Sequence, residues 1–237
     1  MSSVATPTER HIHLFNQWIQ THTVRAVSGK SFVLTEQLKL WLNSRIDGLG
    51  TKNVLASLFD TVVVSKLSKN QTIPPLKANS VLVFCILLEL GLGHLLTSFT
   101  SNGISDASLP IKEQDLRSLS WNLGVGETKL TVDFFEMQWR FCPAMFELDG
   151  CDEWPPGTIV PICRQNLIAQ GRTANVYEVA IPEDFIGKRL RHIFLASRYK
   201  DPEISASWVS QMLPSSPAAA QTNLIAQVVL SIRTEDI

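Results

Sequence analysis

Up to about residue 146 the apolar positions of the chain recur with a helical period. Ile12, Phe15 and Ile19 fall on one face after a polar start. Leu34, Leu38, Trp41 and Leu42 stand at i, i+4, i+7 and i+8, the spacing of a helix face turned to a core. Asp47-Gly48-Leu49-Gly50 interrupts the pattern. Thr51 is then placed to cap a further helix, with Val54, Leu55, Leu58, Phe59 and Val62 on one side. Pro74-Pro75 closes that stretch. An apolar helix over 78–99 follows, then turns at Asn102-Gly103 and Leu109-Pro110, and a short helix carrying Leu116 and Leu119. From Thr131 another helix shows Val132, Phe135, Trp139 and Cys142, and Pro143 stops it.

Beyond Asp149-Gly150-Cys151-Asp152-Glu153-Trp154-Pro155-Pro156-Gly157, a run of turn formers, the period changes. Thr158 to Ile162, Asn166 to Ala169 and Asn175 to Ile181 are short and apolar or β-branched, which predicts strands, and strands only from Thr158 onward. Gln170-Gly171-Arg172-Thr173 is the turn of a hairpin whose second strand puts Tyr177, Val179 and Ile181 on one face. Pro214 to Ala220 is low in complexity, and Leu224 to Ile232 is apolar with no partner assigned. The expected fold class is α+β. A helical domain covers 1–148, a linker 149–157, a small antiparallel β segment 158–213, and a tail 214–237 is left unassigned.

Composition narrows the classes. With 237 residues, 45% of them hydrophobic and 18% charged, the chain can bury a core and is not disordered. The 21 basic and 22 acidic side chains leave a net charge of −1, which argues against a nucleic-acid partner. Cys85, Cys142, Cys151 and Cys163 form no C-x-x-C pair and are read as reduced thiols. The N-terminus has no apolar signal-peptide core, so an intracellular place, cytoplasmic or nuclear, is expected. Val81 to Phe99 has the length of a membrane span, but Glu89 near its middle would cost about 2.5–3.5 kcal/mol there. Gly91, Gly93 and His94 add to the objection. The segment is therefore expected inside the protein, with no membrane partner and with Glu89 at a helix edge or hydrogen-bonded.

Most groups of reactive side chains read as solvated surface. His11, His13 and His22 lack the carboxylate or thiol that would complete a metal site, so no metal ligand is expected. Asp149, Asp152 and Glu153 sit in the linker. Lys188, Arg189, Arg191, His192, Arg198 and Lys200 form a local basic run, read as a solvated helix face. No G-x-S-x-G elbow occurs. One unit suggests chemistry: Ala169-Gln170-Gly171-Arg172-Thr173-Ala174-Asn175-Val176-Tyr177. A hairpin tip of small residues can lay backbone N–H groups over phosphates, because no side chain blocks the approach.

That unit resembles the glycine-rich loop of protein kinases, G-x-G-x-x-G-x-V. Gly171 takes the middle glycine and Val176 the valine, while Ala169 and Ala174 stand at the outer glycines. Before it come Leu96-Thr97-Ser98-Phe99, Gly103 to Ile111, Phe134 to Pro143 and Ile159-Val160-Pro161. The order is similar to filamentous-fungal proteins in which a helical region leads into a protein-kinase-like domain. The resemblance extends over about residues 30–190, a domain-sized stretch. It implies that the β segment is the start of a kinase N-lobe and that Ala169, Gly171, Ala174 and Val176 are a degenerate nucleotide loop.

The departures shape the functional expectation. Kinases hold phosphates with a strand-three Lys and use H-R-D-x-x-x-x-N and D-F-G for base and magnesium. Neither of those motifs occurs, and Lys188 and Lys200 lie in other contexts than V-A-I-K. Too few residues follow Ile162 for both kinase lobes. The expectation is a truncated kinase-like protein without catalytic residues or a cofactor, acting as an interaction module for a protein partner. ATP and magnesium enter only under the alternative, the front part of an active Ser/Thr kinase whose catalytic half is absent. A second alternative is a helical protein-binding domain with no nucleotide role.

Overall fold

The computed structural model describes residues 7–46, 51–64, 76, 78–119, 127–147, 154–170, 174–191 and 225–233. Helices dominate the first part, interrupted by a short two-stranded sheet, and a three-stranded sheet lies in the last part, an α+β fold. The chain divides into two compact units that interleave in sequence: residues 1–23 with 33–142, and residues 24–32 with 143–237.

The first unit is helical. α1 (Pro7–Thr21) buries Phe15 and Ile19, and α2 (Thr35–Asn43) buries Leu38 and Leu42, as their stripes require. α3 (Val54–Val62) is capped by Asn53, whose side chain accepts from the Ala56 N–H at 2.9 Å. Thr51, the expected cap, stands two residues too early for that bond. α4 (Val81–Glu89) is apolar nearly all round, and Val83 to Leu88 are all buried. Its N-terminal N–H groups are not left to water: the Asp106 carboxylate accepts from Val81 N at 3.0 Å and Val83 N at 3.1 Å. An acid there also meets the positive end of the helix dipole.

The single helix expected over 78–99 is in fact broken. Gly91 takes φ 71°, and Leu92 N–H donates to Leu87 O while Gly91 N–H donates to Leu88 O. These are the two bonds of a Schellman cap, which needs a left-handed residue at that position. α5 (Leu96–Ser101) restarts the helix and closes with the same motif, Gly103 at φ 78° and Ile104 N–H on Phe99 O. Glu89 ends α4, where Arg140 Nη1 donates to its Oε1 at 2.5 Å. The same guanidinium donates from Nη2 to Thr23 Oγ1 at 3.2 Å. Among the described residues no helix is long and apolar enough to cross a membrane.

α6 (Glu113–Ser118) buries Leu116. α7 (Glu127–Phe141) begins earlier than expected and buries a wider face than the expected stripe. Of the expected stripe Trp139 is buried, Phe135 and Cys142 are half-buried against the core and Val132 is exposed, while Leu130, Thr131, Phe134, Gln138 and Phe141 are buried as well. Gln138 can lie inside because its amide pairs twice with the backbone of Ile111, Oε1 accepting from Ile111 N at 2.7 Å and Nε2 donating to Ile111 O at 2.8 Å. A buried polar side chain is tolerated when both its groups are bonded.

The second unit holds the sheets. β1 (Thr23–Arg25) and β2 (Ser31–Val33) form a short hairpin through which the chain leaves and re-enters the first unit. Their position corrects the expectation that strands begin only after Thr158. Each has three residues, too few for a visible alternation. Thr158 to Ile162 is not a strand. Its extended backbone is used singly instead: Val27 N–H donates to Ile162 O at 2.8 Å and Ala144 N–H to Ile159 O at 2.9 Å. β3 (Arg164–Gln170), β4 (Ala174–Pro182) and β5 (Ile225–Arg233) form a three-stranded sheet in sequence order. β5 gives the apolar stretch after Leu224 the partner it lacked. Phe32 and Phe185 are buried and meet edge to face at 5.2 Å.

Candidate functional site

The only chemistry-bearing motif of the sequence lies at one end of the three-stranded sheet. β3 and β4 run antiparallel, with Arg164 opposite Ala180 and Leu167 opposite Tyr177. Ala169 then faces Val176 and Gln170 faces Asn175, so Ile168 is left without a partner. This is a β-bulge, which bends the strand and re-aims its side chains. On its other side β4 pairs with β5 from Ala174 opposite Arg233 to Pro182 opposite Ile225.

The hairpin therefore brings three of the four candidate loop residues together. Ala169 is exposed on β3 and lies across the ladder from Val176, and Ala174 opens β4. Gly171, with the rest of the expected turn at Arg172 and Thr173, lies outside the described residues. Ser231 of β5 is opposite Val176, and none of β3, β4 and β5 contains a lysine. The basic residue of β5 is Arg233, at the register of Ala174. Farther down the hairpin Asn166 Nδ2 donates to Glu178 Oε2 at 3.0 Å, tying the two strands.

What the sequence reading missed is the exposed apolar surface beside this loop. Leu167 is 53% exposed and Ile168 56% exposed, adjacent residues at the bulge. The run Leu167-Ile168-Ala169 signalled a strand, and its exposure follows from an edge position that one sequence does not display.

Burial holds the three described thiols in their protonated form. Burial pushes Cys163 up to about 11. Burial, helped by the Asp106 carboxylate, pushes Cys142 up to about 12. Cys85 is raised further, by complete burial first and then by Asp106 and Glu89. Each is held as a small apolar group. Cys151 lies outside the described residues, as do Asp149, Asp152 and Glu153.

The other candidate groups are also placed. His22 stacks on Trp18 with ring centroids 4.0 Å apart, and its Nδ1 donates to Trp18 O at 3.0 Å. Among the described residues no three His, Cys, Asp or Glu side chains come close enough to hold a metal ion. Lys188 and Arg189 are exposed on a helical turn. Arg191 folds back, its Nη2 donating to Glu183 O at 2.7 Å and to Ile186 O at 3.3 Å. His192, Arg198 and Lys200 lie outside the described residues. In comparisons with known proteins, no family model, no curated protein and no solved structure matches the chain.

Proposed function

We propose that this chain is a protein-interaction module without phosphoryl-transfer chemistry of its own. In this reading its β3–β4 hairpin is a kinase-type glycine loop turned from nucleotide to protein contact. The observation that carries the reading is the pair Leu167 and Ile168, large apolar side chains each more than half exposed on an edge strand. Exposed apolar side chains grouped at one place mark contact surfaces, and an edge strand offers unpaired backbone groups beside them. The register supports the loss of nucleotide chemistry, since Ser231 stands beside the loop valine.

The experiment is photo-crosslinking from position 168 of the full chain in its own cells, followed by binding of the captured protein in purified form. A single recurrent partner is expected, with affinity lost in Leu167→Lys/Ile168→Lys and kept in Leu40→Lys, an exposed position of the first unit. Equal binding by both variants would overturn the assignment of the contact to the hairpin.

A second reading, the front part of an active kinase, has one observation in its favour. β5 follows the loop hairpin as the third strand of the same sheet, in sequence order, where the resemblance puts the Lys strand. It requires ATP and magnesium at Ala169, Gly171, Ala174 and Val176, which a titration decides.

A further inference from the structure

We draw no further inference here: the strongest candidate, the open edge of β3 beside Leu167 and Ile168 in the three-stranded sheet, carries nothing beyond the contact already proposed, because nothing in the structure shows what covers it.

Discussion

Gln138→Met tests how the helical unit is held. The substitution keeps the side chain's length and its buried volume but removes both of its bonds to Ile111. Gln138 is fully buried and Ile111 is 8% exposed, so the Ile111 N–H and C=O would lose their partners away from water. Each buried unpaired group costs about 1–3 kcal/mol, giving a loss of about 2–6 kcal/mol less whatever the apolar thioether regains. At a urea slope of about 2 kcal/mol per M, the midpoint should fall by about 1–3 M. Helical circular dichroism against urea reads this, and the slope should stay as in the parent chain. Gln138→Glu sharpens the test. A protonated carboxyl can still accept from Ile111 N and donate to Ile111 O, whereas the carboxylate can only accept. Burial disfavours the charged form, so the introduced group titrates higher in the folded chain than in the unfolded one. Its stability relative to the parent is then kept below the unfolded carboxyl range and lost as pH rises above about 4.3. A Gln138→Met loss under about 1 kcal/mol, or a Gln138→Glu penalty independent of pH, would show that Ile111 finds other partners and that the amide is not what orients α7.

Asp106→Ala leaves the Val81 and Val83 N–H groups without their acceptor and should cost about 1–2 kcal/mol, a fall of about 2–8 °C in melting temperature by calorimetry. Gly93→Ala would set a Cβ 2.7 Å from Val62 Cγ1 and 2.9 Å from Leu88 Cδ2. It should destabilise by about 1–3 kcal/mol, and Val62→Ala in the same chain should recover part of that loss in urea unfolding. In a Cys151→Ser background, Cys85, Cys142 and Cys163 should react with a thiol reagent at pH 8 only slowly, and quickly once urea unfolds the chain. Because the unfolded thiols ionise near 8.5 and Cys142 only at about 12, folding stability should decline as pH rises above about 8.5.

The helices of the first unit were legible where apolar residues at helical spacing supply most of the face turned to the core. Leu34, Leu38 and Leu42 are buried, with Trp41 half-buried beside them, because their spacing is helical. The inward face of α7 was legible only in part, at Trp139, Phe135 and Cys142, because two of its buried positions, Thr131 and Gln138, are polar, and hydropathy assigns polar residues to the outside. The Schellman break at Gly91 was missed because the apolar run continues through it. β5 was missed for another reason: its partner β4 lies more than forty residues earlier, and no local pattern encodes that pairing. The loop candidates were visible as small residues, and the register puts Ala169 opposite Val176. Their setting was not visible, since the bulge at Ile168 and the exposure of Leu167 follow from the position of β3 at the sheet edge.

Calorimetric titration of the purified chain with ATP and magnesium separates a contact hairpin from a nucleotide cradle most directly. Phosphate charge would have to be met beside Ala169 and Val176 on strands without a lysine. The expected result is no saturable heat at millimolar nucleotide, unchanged by Gly171→Asp. Saturable binding in the micromolar range, abolished by Gly171→Asp, would contradict it and restore the kinase reading.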